Sequence, residues 1–204
     1  MIGILDYGMG NLRSVQKAFE HVGARAVVIT TAEQVDRCSK LVLPGVGAFA
    51  DAAAALRQNG LDQSIRRLID SGRPFLGICL GLQLLFDVGY EDGQHRGLGI
   101  LRGACVRFDV DQSFGLKVPH MGWNQLQVLR EAPLFANLPA RPSVYFVHSY
   151  HVQPADPSVI ATTTDYGRPF VSSIWRDNVM ATQFHPEKSQ QIGLKMLENF
   201  AGAT

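Results

Sequence analysis

Four short apolar runs in the first eighty residues constrain the fold more than any other feature of the chain. They are "IGILDY" (2–7), "ARAVVIT" (24–30), "KLVLPG" (40–45) and "PFLGIC" (74–79). Rich in Val, Ile and Leu and nearly continuous, they read as strands buried on both faces. Between them, apolar residues recur at helical spacing. After Asn11 come Leu12, Val15, Phe19 and Val22, closed by Gly23. An Ala-rich helix is predicted over 48–58 and a second over 62–71, ending at Ser71-Gly72 where glycine suits the position beyond a helix C-terminus. "LGLQLLF" after Cys79 opens one more helical pattern. Pro44-Gly45 is expected to stop the third strand. Such alternation implies an α/β fold, a mostly parallel sheet flanked by helices. Ligands of such sheets bind just beyond the carboxyl ends of the strands, where Gly8, Gly10, Gly45, Gly47 and Cys79 fall.

The second half reads differently. "ACVRFDV" (104–110), "VPHMGWNQLQVL" (118–129), "SVYFVHSYHVQP" (143–154) and "PFVSSIWRDNVMATQFHP" (169–186) look like strands and hairpins, with a turn at 176–178. A terminal helix is predicted from Gln190 to Phe200. With no repeat and no linker, one domain over residues 1–204 with a β-rich extension is expected.

Composition excludes several classes. A formal net charge of +1 gives no field favouring nucleic acid or an anionic membrane surface. No apolar run approaches the ~18 residues that span a bilayer. The opening residues lack the basic and apolar regions of a signal peptide. The three cysteines, Cys38, Cys79 and Cys105, are scattered and form no C-x-x-C. A disulfide framework and a Cys-based zinc site are therefore not expected, and a reducing cytoplasm fits best. No H-x-H or H-E-x-x-H spacing indicates a metal. "YGMGN" lacks the third glycine of a dinucleotide loop, and no cofactor is expected.

The chemistry concentrates at Gly77-Ile78-Cys79-Leu80-Gly81. This is the form of a nucleophile elbow with Cys in place of Ser, held on a sharp strand-to-helix turn. A helix N-terminus there would favour the thiolate through its dipole and free N–H groups, and the Leu80 N–H would face a developing oxyanion. A lone cysteine is also commonly a small buried hydrophobe, and Cys38 and Cys105, which lack the glycine frame, are read that way. In "QFHPEKS", His185 and Glu187 are two apart, and an extended segment held by Pro186 would project both to one side. Glu187 would then orient His185 and His185 would serve Cys79 as base. Taken alone, H-P-E is a weak signal that a solvated turn would explain. The other histidines are less persuasive: His21 lies in a helical pattern, His95 in a polar loop, and His120, His148 and His151 among strands. In "LPGVG", peptide groups flanked by glycine can reorient toward an oxyanion, although a Pro-Gly pair alone marks only a tight turn.

These residues together resemble the class I (triad) glutamine amidotransferases over essentially the whole chain. "GICLGLQLLF" and "QFHPEKS" carry the class. "DYGMGNLRSV", "LPGVGAF", "VPHMGWN" and "YFVHSYH" are similar to its glutaminase subunits of imidazole glycerol phosphate synthase. The resemblance implies a flavodoxin-like sheet and a triad of Cys79, His185 and Glu187. It implies an oxyanion hole from the Leu80 N–H and the Val46–Gly47 turn, with glutamine bound by Gly47, Gln83, Glu91, Ser149 and Tyr150. It also implies a (β/α)8-barrel cyclase partner in a heterodimer. That partner would take up the released ammonia at a face containing Met9, Asn11, Met121, Trp123, Asn124 and Lys188. Docking of the liganded cyclase is expected to turn a peptide of Pro44–Gly47 and complete the oxyanion hole. A glutaminase serving another synthase and a non-catalytic scaffold are the competing readings.

Overall fold

Alternating burial sorts the N-terminal strands into two apolar layers. The computed structural model describes residues 1–110 and 115–203. Strands β1 (Ile2–Leu5), β2 (Ala26–Ile29), β3 (Lys40–Gly45) and β4 (Phe75–Cys79) alternate with helices α1 (Leu12–His21), α2 (Ala32–Arg37), α3 (Phe49–Gln58) and α4 (Leu61–Asp70). Successive strand side chains face opposite ways. Leu5, Leu41, Leu43 and Phe75 accordingly pack with Val35, Ala52, Leu56, Ile65 and Leu68 of α2–α4. Ile2, Ile4, Val42, Leu76 and Ile78 pack with α1 and with the C-terminal helix, where the Phe19 and Phe200 ring centroids are 6.2 Å apart.

After β4 the chain makes α5 (Leu80–Gln83), β5 (Phe86–Gly89), β6 (His95–Arg96), β7 (Leu101–Arg107), β8 (His120–Gln125) and β9 (Gln127–Val128). Then follow β10 (Ser143–His148), β11 (Tyr150–Pro154), β12 (Ile160–Asp165), β13 (Pro169–Arg176), β14 (Val179–Thr182) and α6 (Gln190–Gly202). Among the described residues, twelve strands join one sheet, with the main order β2-β1-β3-β4-β14-β13-β11-β7-β5-β6. The five strands from β2 to β14 run parallel. Beyond them β13, β11 and β7 continue antiparallel, so the β-rich second half extends the same sheet. Strands β8 and β10 pair separately. No helix among the described residues is long and apolar enough to cross a membrane.

Two expectations need correction. Helix α2 was not anticipated, although Thr31 and Gln34 form a capping box that marks its start. The helix expected after Cys79 is a single turn. Leu82, Leu84, Leu85 and Phe86 are all fully buried, so the segment has no solvent face, and from Phe86 it pairs with β7. Strand β3 spans Lys40–Gly45 and ends with the Pro44-Gly45 pair, as expected. Strand β1 pairs only as far as Val42, so Pro44 lies where β3 has a single neighbour and tolerates a missing donor.

Candidate active site

Sheet order brings the distant motifs together. Strand β4 lies between β3 and β14, and all three are parallel, so their carboxyl ends share one edge. Gly45 stands directly opposite Cys79, and Thr182 opposite Ile78. The glycine turn after β3, the cysteine ending β4 and the His185 segment after β14 are thereby neighbours, although more than one hundred residues separate Cys79 from His185.

Cys79 is held in strain. Its backbone has φ 55° and ψ −105°, outside the regions that side-chain-bearing residues prefer. Strand alternation would send its side chain toward the layer of Phe75. Instead it packs with Ile78 and Phe184 in the opposite layer. The glycines on either side permit this. A Cβ on Gly81 would sit 1.9 Å from the Leu43 carbonyl oxygen, and one on Gly77 would sit 2.7 Å from the Gly81 oxygen. Backbone cannot yield to that extent. Gly81→Ala is therefore expected to lower unfolding stability by about 1–3 kcal/mol in denaturant titration. Gly202→Ala, whose added methyl meets open space, should leave stability unchanged or slightly higher.

His185 and Glu187 are joined by a different geometry from the one expected. His185 is extended, but Pro186 opens a 3-10 turn over Pro186–Lys188, because its fixed φ suits a first helical position. The turn curls the Glu187 carboxylate back, and the His185 Nδ1–H donates to Oε1 at 2.8 Å. Both side chains are almost fully buried. Burial alone would lower the His185 pKa. Negative charge at the neighbouring Cys79, then hydrogen bonding and charge at Glu187, outweigh it and raise the value to about 10. His185 Nε2 is buried without a hydrogen-bond partner among the described residues. It is the atom left to exchange a proton.

The other two thiols differ. Burial raises the pKa of both Cys38 and Cys105, and the Cys38 Sγ–H donates to the Gln34 carbonyl. Among the described residues neither has a histidine as a hydrogen-bond partner. All three cysteines are free and buried.

A cleft of about 160 Å³ opens at Cys79, lined by Val46, Gly47, Leu80, Gln83, Glu91, Val147, His148, Ser149 and Tyr150. It gathers every residue expected to bind glutamine or its oxyanion. A larger groove of about 660 Å³ runs along residues 128–140, but its ionisable lining is only Arg130 and Glu131. Gly47 has φ +111°, a conformation that suits glycine. Glu91 is tied to the cleft by the Phe49 N–H, which donates to Oε2 at 2.7 Å. The Leu80 N–H begins α5 and so lacks an intrahelical acceptor. With α5 one turn long, free N–H groups rather than a macrodipole act on the sulfur.

Three further residues complete the site and escaped the sequence reading. The buried Gln183 amide donates to Cys79 Sγ at 3.7 Å and accepts from the Gln83 amide at 3.3 Å. A polar residue inside the apolar β14–His185 run was the available signal. The Tyr7 hydroxyl is buried against Gly45, and burial with the charge at Cys79 keeps it protonated. His148, set aside as a strand residue, lines the cleft.

The residues expected to meet a partner lie at or near the surface. Met121 and Trp123 are 61% and 49% exposed on the same side of β8. Lys188 is exposed directly after Glu187, and Met9 lies against Gly47. Asn11 caps α1, accepting from the Ser14 N–H, and Asn124 hydrogen-bonds inward. Among the described residues, no group of three or more His, Cys, Asp or Glu side chains could hold a metal ion.

Comparison with known proteins agrees with this geometry. The family model for glutamine amidotransferase class-I matches residues 3–203. The chain is 60% identical over 203 residues to the imidazole glycerol phosphate synthase subunit HisH of Syntrophotalea carbinolica, covering 98% of both chains. It is 57% identical to the HisH subunit of Aquifex aeolicus, covering 97% of this chain and 94% of that one. Among solved structures, PurLQS from Thermotoga maritima superimposes with a TM-score of 0.77 at 19% identity, covering 98% of this chain and 96% of that one. A glutamine amidotransferase crystal structure gives 0.75 at 20% identity, covering 99% of each. These two likenesses show the fold alone. Family match and full-length identity lead to one assignment: the chain belongs to the class-I glutamine amidotransferases.

Proposed function

We propose that this protein hydrolyses glutamine to glutamate and ammonia and delivers the ammonia to a cyclase partner in histidine biosynthesis. The carrying observation is the buried Glu187–His185 pair beside a strained cysteine, in a cleft whose rim holds a carboxylate. In this reading the Cys79 sulfur attacks the side-chain amide carbon of glutamine. The tetrahedral oxyanion is held by the Leu80 N–H and an N–H of the Val46–Gly47 turn. Imidazolium His185 gives its proton to the departing nitrogen, and ammonia leaves behind a thioester. His185, now neutral, takes a proton from water, which attacks the thioester and releases glutamate. Glu187 holds the ring and its charge throughout. Glu91 pairs with the substrate α-ammonium, while Gln83, Ser149 and Tyr150 fix the rest of the amino acid.

Ammonia set free in water would be protonated and diluted, so a docked acceptor fits the chemistry. The relatives that share over half of their residues with this chain are subunits by name. The partner proposed is a (β/α)8-barrel cyclase forming a heterodimer. Its docking face is the one bearing Met121, Trp123 and Lys188, with Met9, Asn11 and Asn124 beside it. The proposed switch is the turn opposite Cys79: docking of the liganded cyclase rotates a peptide of Pro44–Gly47 to complete the oxyanion hole.

The test is the glutaminase rate of the protein alone, with cyclase, and with cyclase plus its phosphoribulosyl formimino substrate. The rate should climb through the three conditions. Equal nonzero rates would sink the switch. Absence of turnover in all three would sink the function.

A further inference from the structure

Behind the cleft lies a buried polar chain that the proposed chemistry does not use. His120 and His148 stand directly opposite each other in the β8–β10 pair, 3% and 5% exposed, and His120 Nδ1 is 3.0 Å from His148 Nε2. His148 Nδ1 is 2.8 Å from the Tyr150 carbonyl oxygen. Asn124 Nδ2 is 3.3 Å from His120 Nε2 and donates to the Asp165 carbonyl at 2.9 Å.

These contacts determine which nitrogen holds each proton. A carbonyl can only accept, so His148 Nδ1 has the hydrogen. Burial lowers the pKa of both histidines, that of His148 to about 3 and that of His120 to about 4, so both rings are neutral near pH 7. A neutral ring has one N–H, so His148 Nε2 accepts and His120 Nδ1 donates. His120 Nε2 must then accept, and its neighbour is the Asn124 amide nitrogen, which has only hydrogens to give. The amide orientation is itself set, because Asn124 Oδ1 accepts from the Gln125 N–H at 2.8 Å. Every bond thus runs one way, from Asn124 through His120 and His148 to Tyr150. The Tyr150 oxygen also accepts from the Gln83 amide at 3.2 Å, and Gln83 contacts the Gln183 that donates to Cys79. Stacking keeps the rings in place: His120 lies on Phe146 with centroids 4.7 Å apart, and His148 lies 5.0 Å from the Phe108 ring.

From this we infer that His148 and His120 are positioning residues for the glutamine cleft, fixing the Tyr150 carbonyl and through it Gln83 by a one-way hydrogen-bonded chain. The chain starts on the inner side of β8, whose outer side bears Met121 and Trp123. The inference rests on the reading of the cleft as a glutamine site. It adds a specific claim: both rings are held as the Nδ1–H tautomer, and substrate affinity depends on that.

Two measurements test it, both made on the full chain with its cyclase. Nitrogen-15 NMR of the imidazoles should show two neutral Nδ1–H rings assigned to His120 and His148. An Nε2–H tautomer in either would overturn the chain. In kinetics, His148→Leu should raise the glutamine KM about tenfold, the order expected for one lost hydrogen bond, with kcat changed far less. His148→Asn, whose amide can replace the Nδ1 donor, should recover most of that. In His148→Leu a glutamine-mimicking electrophile should alkylate Cys79 more slowly by the KM factor, and iodoacetamide should be affected far less. An equal fall of kcat and kcat/KM, or no change in KM, would overturn the positioning role. A protein with two Nδ1–H rings but no glutamine turnover would support the chain and overturn the glutamine assignment instead.

Discussion

Replacing Cys79 by alanine is expected to reduce glutaminase kcat on the order of 10⁵–10⁶-fold, the scale on which removal of a triad nucleophile acts in other hydrolases. The loss should be absolute in kind, because nothing else in the cleft can form the thioester. Cys38 and Cys105 are buried, their thiols are pushed toward the protonated form, and among the described residues neither has a histidine as a hydrogen-bond partner. The variant should fold normally, since alanine keeps the elbow's backbone and removes a single buried atom. Glutamate release by the cyclase complex, with circular dichroism as the folding control, checks both halves. Mass spectrometry after treatment with a glutamine-mimicking electrophile supplies the site: one adduct on Cys79 of the wild type and none in the variant. Retention of even a few per cent of the activity, or labelling at Cys38 or Cys105, would reassign the nucleophile.

Glu187→Gln is expected to lower kcat by about 10⁴-fold, as loss of the carboxylate from a Ser-His-Asp triad does elsewhere. The amide keeps the shape but removes the charge that holds the imidazolium, and its NH2 group can turn to Nδ1 and select the wrong tautomer. A second consequence appears in stability. The folded pKa of His185, about 10, lies above its ordinary 6.5. A raised pKa means that the folded state binds the proton more tightly than the unfolded chain does. The stabilisation from that proton is therefore complete below pH 6.5 and is lost as pH climbs through about 10. The wild type should lose denaturant resistance across that window. Cys79 is the larger source of the upward shift and Glu187 the smaller, so the slope should flatten in Glu187→Gln and flatten further in Cys79→Ala. Parallel slopes in all three proteins would show that His185 does not hold the proton.

The strands and helices of the first half were legible because their burial is periodic: Leu41 and Leu43 face one layer, Val42 the other, and α1 presents Val15 and Phe19 to the sheet. Helix α2 was missed because six residues give too short a pattern, although its capping residues were in view. The segment after Gln83 was misread because a wholly buried run has no periodicity to distinguish strand from helix. His185 and Glu187 were paired for the wrong geometric reason, since a proline that forbids an interior helical position also opens a 3-10 turn. Gln183 and His148 were illegible as site residues. Their relevance depends on β14 pairing with β4 and on β10 facing β8, and pairing between distant strands leaves no trace in local spacing.

That pairing has a consequence for how the protein is made. Until Val179–Thr182 have been synthesised, β4 has β3 on one side and no neighbour on the other. A ribosome emitting the first 170 residues therefore exposes an unpaired strand edge beside Cys79 and a thiol still without His185. Closing that edge requires a contact across about a hundred residues, the kind of non-local step that folds slowly and is open to wrong partners while it waits. Cys79 is made more than one hundred residues before His185, so a nascent product has the thiol well before the Glu187–His185 pair.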